Sequence, residues 1–171
     1  GHLSDQRIGE GSIVGVCLPD CADHLMINYA VARLGAVILP MDWRWTEPEK
    51  RRIAEFFKVA LIVGLAEAEL SEFPYISVDE AWHKAVTNRA PDMDCASGGY
   101  RPVVLSLSSG TTGRPKGPML THAQFIARFV MQWQTLGFNQ HDRYLSATPI
   151  YFGGGRSFTM GCLYTGSTVI M

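Results

Sequence analysis

Short apolar runs rich in β-branched residues alternate along the chain with longer stretches whose apolar residues recur every three or four positions. The first pattern predicts strands buried on both faces, the second predicts helices laid against them. Residues 12–18 (SIVGVCL) form the first such strand, stopped by Pro19. A helix follows, with Asp20 placed to cap it, Asp23 in its first turn, apolar positions at Leu25, Met26, Tyr29, Ala32 and Leu34, and Gly35 as its stop. Residues 36–39 (AVIL) give a second strand closed by Pro40. Thr46 with Glu49 then opens a helix in the reciprocal pattern of a capping box, and the helix runs to about Phe57. Strands at 59–63 and 75–78 come next, the latter leading into a helix capped by Asp79 and ending near Asn88 and Arg89. Residues 90–100 are rich in Gly, Pro and Asp and read as an internal linker.

Beyond the linker, residues 102–107 (PVVLSL) predict a strand, and Thr121 with Gln124 predicts a second capping box that opens a helix to Leu136. On that helix Phe125, Phe129 and Trp133 share a face, which reads as packing against the sheet. A strand at 144–148, a short helix at 157–164 and a strand from 168 complete the pattern. Strands and helices alternating with short connections indicate a three-layer αβα fold on a mostly parallel sheet, with residues 1–171 as one α/β unit. Ligands of such sheets bind beyond the carboxyl ends of the strands.

Two loops fall at such ends. The first is Ser108-Ser109-Gly110-Thr111-Thr112-Gly113-Arg114-Pro115-Lys116-Gly117, between the strand at 102–107 and the helix at 121. Its glycines allow close backbone approach, Ser108, Ser109, Thr111 and Thr112 carry hydroxyl donors, and Lys116 carries a mobile positive charge. Those are the parts a polyphosphate needs. A P-loop is excluded by spacing, because counting from Gly110 puts Pro115 where its second glycine must fall. The second loop is Pro149-Ile150-Tyr151-Phe152-Gly153-Gly154-Gly155, whose three glycines permit either a flexible hairpin or a substrate's close approach. The loop with Trp43, Arg44 and Trp45 reads as a packed crossover in which the arginine lies on an indole.

Composition narrows the partners. The chain has 171 residues, 47% hydrophobic and 18% charged, with a formal net charge of −1 and no basic block, which argues against a nucleic-acid binder. Cys17, Cys21, Cys95 and Cys162 have neither zinc spacing nor the density of a disulfide framework and read as buried, reduced thiols. No metal ligand set stands out. No apolar run approaches the ~20 residues of a membrane span, and no signal peptide opens the chain, so the default expectation is a cytoplasmic protein.

The ten residues 108–117, together with Met119-Leu120-Thr121-His122, resemble the signature loop of the adenylate-forming superfamily: acyl-CoA synthetases, luciferases and peptide-synthetase adenylation domains. One departure is Pro118, where those proteins usually carry a β-branched residue, so the following strand is expected to start a residue late. The segment 149–155 resembles the superfamily's second signature, P-L-F-H-x-x-G, with Phe152 in place of the histidine.

The resemblance implies that ATP, Mg²⁺ and coenzyme A are used to activate a small carboxylic acid, with a fatty acid the first expectation. It assigns ATP phosphates to Ser108, Ser109, Gly110, Thr111, Thr112, Gly113 and Lys116, and the acyl-substrate gate to Phe152, Gly153, Gly154 and Gly155. It also implies a piece of the large N-terminal domain, truncated at both ends, inactive alone and able to associate through its cut sheet edge. A peptide-synthetase adenylation fragment and a noncatalytic phosphate- or partner-binding module remain as alternatives.

Overall fold

The computed structural model describes residues 2–89, 95–96, 98–107 and 115–171. In chain order its elements are α1 (His2–Asp5), β1 (Ile13–Cys17), α2 (Ala22–Arg33), β2 (Val37–Pro40), α3 (Glu47–Phe56), β3 (Leu61–Gly64), a 3₁₀ turn (Ala66–Ala68), β4 (Tyr75–Ser77), α4 (Glu80–Thr87), β5 (Pro102–Leu105), β6 (Met119–Thr121), α5 (His122–Leu136), β7 (Arg143–Leu145), α6 (Gly153–Tyr164) and β8 (Thr168–Ile170). Six strands form one sheet in the order β4-β3-β1-β2-β5-β6, parallel throughout except where β6 runs antiparallel to β5. The strands at 144 and 168 expected in this sheet pair instead with each other, as the parallel ladder β7–β8.

Alternation along the strands divides the core into two clusters, as a period of two requires. Val14, Val16, Ile38, Leu61 and Val63 pack with Leu25, Ile27 and Val31 of α2, Phe125 and Phe129 of α5 and Met160 of α6. Cys17, Val37, Leu39 and Ile62 pack with Ile53 and Ala54 of α3. Helices therefore cover the sheet from both sides, the three-layer arrangement that the sequence predicts. At about 1.5–3 kcal/mol for each fully buried aliphatic side chain, these clusters outweigh the helix caps, worth about 1 kcal/mol each. The caps fix where the helices begin. Both capping boxes form: the Thr46 N–H donates to Glu49 Oε2 at 2.8 Å, and Thr121 and Gln124 exchange bonds of 3.0 and 3.2 Å. Asp79 caps α4 by accepting from the Trp82 N–H at 2.8 Å.

Four expectations are corrected. Helix α6 begins at Gly153, not Ser157, so the three glycines form its first turn rather than a hairpin. Asp20 does not cap α2; Cys21 holds that position without a side-chain bond. The buried face of α2 is His24, Leu25, Ile27, Asn28 and Val31, while Met26 and Tyr29 point outward. The aromatic face of α5 is buried only at Phe125 and Phe129; Trp133 is half exposed. The expectation of four buried thiols also holds only for Cys17 and Cys162; Cys21 is partly buried and Cys95 is exposed. Burial pushes the Cys17 thiol up to about 11, which leaves it protonated and unreactive. No helix among the described residues is long and apolar enough to cross a membrane.

Candidate functional site

The parallel strands deliver three loops to one edge of the sheet, and the segment from Pro149 to Gly153 meets all of them. After β1, the Asp20 carboxylate accepts from the Ile150 N–H at 2.9 Å. After β2, the Arg44 guanidinium donates to the Tyr151 hydroxyl and lies 5.6 Å from the centre of its ring. After β5, a Cβ placed on Gly153 would lie 3.7 Å from Ser106 Oγ. The second glycine-rich segment is thus seated against the strand end that feeds the first. Strand order also reverses around β1, with β2 on one side and β3 on the other, and such switch points open a crevice for ligands.

Arg44 is held by Asp42. Its Nε and Nη2 donate to the two carboxylate oxygens at 3.0 and 2.9 Å, and its backbone N–H adds a third bond of 3.0 Å. Burial of Asp42 works to raise its pKa, but the bonds from Arg44 outweigh that and hold the carboxyl below the ordinary range. Arg44 is more than half exposed, so the pair adds little to stability; what it fixes is the direction of the guanidinium. The ring under that guanidinium belongs to Tyr151, where the sequence suggests an indole.

Behind the segment lies a buried polar seam between α2 and α6. Arg156, 2% exposed, donates through Nη1 to the carbonyls of Ile150 and Tyr151 at 3.2 and 3.3 Å. Burial, with help from the like charge of Arg128, brings its pKa down to about 10, which leaves it charged at neutral pH. His24 bonds the Pro19 carbonyl through Nδ1 at 3.3 Å, and burial lowers its pKa. Its Nε2, both amide atoms of Asn28, the Arg156 Nε and the Ser157 hydroxyl have no hydrogen-bond partner among the described residues.

A pH dependence follows from His24. Its folded pKa lies below the ordinary value of about 6.5, so below that pH the unfolded chain takes up a proton that the folded chain refuses. Stability is expected to fall as pH drops through about 6.5, and His122, also lowered by burial, acts with the same sign. Urea midpoints measured from pH 7.5 to 5.5 should decline for the wild type and decline less for His24→Gln; equal slopes would contradict this.

The assigned residues divide by location. Ser108, Ser109, Gly110, Thr111, Thr112 and Gly113 lie outside the described residues. Lys116 is exposed and has no ion pair among the described residues. Gly117 beside it is held tightly: a Cβ there would come within 2.2 Å of Leu105 Cδ2 and 2.9 Å of Phe57 Cε1. A side chain at 117 would have to displace Leu105 and Phe57, and β6 starts at Met119, just past Pro118. Phe152 is the N-cap of α6 and is half exposed; Gly154 has open space around it, while Gly155 is pressed on the backbone. No cluster of three or more metal-ligating side chains occurs among the described residues. Asp20, Arg44 and Tyr151 escape the sequence reading as site residues because their contacts span 107 and 130 positions, and Arg156 because its bonds to Ile150 and Tyr151 depend on α6 starting at Gly153.

Comparison with known proteins agrees with this arrangement. The family described as AMP-binding enzyme matches residues 1–171. Indoleacetate–CoA ligase of Aromatoleum aromaticum is 28% identical over 184 residues, covering 92% of this chain and 36% of that protein. 4-Coumarate–CoA ligase 3 of Oryza sativa subsp. japonica is 31% identical over 189 residues, covering 99% of the chain and 34% of that protein. The crystal structure of the N-terminal domain of FACL13 from Mycobacterium tuberculosis superposes with a TM-score of 0.88 at 22% identity, covering 99% of this chain and 46% of that one. The chain spans about a third of the length of these two ligases. With a match over its whole length, the chain belongs to the AMP-binding enzyme family.

Proposed function

We propose that the full-length protein containing this chain activates a carboxylic acid with ATP and passes the acyl group to coenzyme A. A carboxylate oxygen attacks the α-phosphorus, the bond to pyrophosphate breaks, and the resulting acyl-adenylate is opened by the CoA thiol with release of AMP. The residues proposed to hold the leaving pyrophosphate are Ser108, Ser109, Gly110, Thr111, Thr112, Gly113 and Lys116. Their hydroxyls, backbone N–H groups and ammonium would be fixed before charge develops, the condition under which such donors count most. Mg²⁺, when bound, neutralises part of the phosphate charge.

The observation that carries this reading is the seating of Gly153 against Ser106, which sets the second motif beside the strand end entering the first. Phe152, Gly153, Gly154 and Gly155 would then border the acid, with the exposed Phe152 ring favouring an apolar body over a charged one. A fatty acid meets that requirement; so do the aryl acids named for the two relatives, indoleacetate and 4-coumarate. ATP–pyrophosphate exchange by the full-length protein over fatty, aryl and amino acids tests the proposal. Exchange driven by fatty or aryl acids, with thioester formed on adding CoA, supports it. Preference for amino acids would support a peptide-synthetase adenylation domain, and silence with every acid a noncatalytic module.

A further inference from the structure

The backbone leading to Phe152 is gripped from two sides, by Asp20, 130 positions away, and by Arg156 of α6, five and six positions on. The Ile150 N–H is taken by Asp20 at 2.9 Å, and the Ile150 and Tyr151 carbonyls are taken by Arg156 at 3.2 and 3.3 Å. The Ile150 side chain itself is fully buried in the core. These bonds fix both faces of one residue two positions before the N-cap of α6.

Arg156 is an expensive way to fill that space. Burying a guanidinium without a carboxylate partner is strongly unfavourable, and no acidic group forms an ion pair with it among the described residues. The groups facing it are His24 from α2 and the like-charged Arg128 from α5. Methionine would fill a similar volume without that penalty. What methionine lacks is a donor for the two carbonyls. Left unbonded in the interior, those carbonyls would favour a different backbone path toward Phe152.

We propose that Arg156 and Asp20 are positioning residues that set the backbone of residues 150–151, and through it the placement of Phe152 and the first turn of α6 at the mouth of the acid site. The assignment rests on the acid-activating reading above. Neither residue touches substrate; each acts through the Ile150 and Tyr151 peptides. Loss of a residue that merely stabilises the fold would lower the active fraction, and with it the apparent kcat, while leaving each KM unchanged. A residue that orients the gate should weaken the acid selectively.

The test uses the full-length protein with Arg156→Met, Arg156→Lys and Asp20→Ala. In ATP–pyrophosphate exchange, Arg156→Met and Asp20→Ala are expected to raise the apparent KM for the preferred acid about tenfold or more and to flatten the preference among acids of different width. The apparent KM for ATP should stay within about twofold, and Arg156→Lys, which keeps one donor, should recover much of the loss. Deuterium exchange of the peptide spanning 149–156 gives a readout independent of activity. In Arg156→Met the Ile150 amide should lose protection even though Asp20 is intact.

Parallel rises in KM for acid and ATP, a fall in kcat alone, or no rescue by lysine would overturn the positioning role. So would an Ile150 amide as protected in Arg156→Met as in the wild type. If Arg156→Met does not fold, Asp20→Ala and Arg156→Lys carry the same comparison. A wild type inert toward every acid refutes the acid-activating reading, while the clamp still stands or falls on the Ile150 amide.

Discussion

Replacing Lys116 with alanine in the full-length protein is expected to lower ATP–pyrophosphate exchange more than about tenfold while leaving thermal stability unchanged. The two halves of that expectation come from different observations. Lys116 is exposed and has no ion pair among the described residues, so its removal breaks no packing and no ion pair there. Its proposed task is to meet charge that appears only as pyrophosphate departs, and loss of one such donor typically costs about 10²–10³ in rate where water is excluded. An exposed ammonium works in higher dielectric and is partly screened, which is why tenfold is taken as the floor. Exchange at the wild-type rate would contradict the assignment of Lys116. A fall in activity matched by a fall in melting temperature would point to a structural role instead.

The second large effect is on stability, and it separates two forces of opposite sign. Glycine in a helix is disfavoured against alanine by about 1 kcal/mol, so propensity alone predicts that alanine at 154 or 155 strengthens α6. At Gly154, where a Cβ meets nothing within 4 Å, that prediction should hold, with a gain of about 0.5–1 kcal/mol. At Gly155 a Cβ would come 2.3 Å from the carbonyl oxygens of both Thr148 and Pro149. Those atoms are backbone and cannot swing aside, and overpacking of this kind costs about 1–3 kcal/mol. Gly155→Ala should therefore lower the urea midpoint while Gly154→Ala raises it. Two substitutions of the same sign would show that the first turn of α6 is not seated on the Thr148–Pro149 backbone.

Why sequence reading succeeds in one half of the molecule and stumbles in the other is visible in those residues. The strands β1, β2, β3 and β5, and the helices opened by Thr46, Asp79 and Thr121, are specified locally: an apolar run needs two covered faces, and each cap sits three residues from its partner. The glycine-rich start of α6 is specified by distant atoms. Three glycines in a row have low helix propensity, so the local pattern favours a turn, and only the close approach of Gly155 to the chain at Thr148 explains the helix. Asp20 shows the same limit. Its position before α2 has the form of a cap, but the Ile150 amide, unpaired without it, is the stronger claimant on its carboxylate. His24 and Asn28 are polar by type and buried by place, which turns α2 through a different face from the one its apolar residues suggest. Of the proposed site residues, Lys116, Phe152 and the glycines come from motif, whereas Arg44, Tyr151 and Arg156 become visible only when the chain is folded.

The claim on which everything else depends is that the loop after β5 holds the phosphates of ATP. An ATP analogue bearing a reactive acyl group on its γ-phosphate reads this directly, because it passes that group to the nearest lysine amine. On the full-length protein, peptide mapping should find acylation concentrated at Lys116 and suppressed by excess ATP. Lys116 left unmodified, or modified no more than Lys50, Lys58 and Lys84 and indifferent to ATP, would contradict the claim.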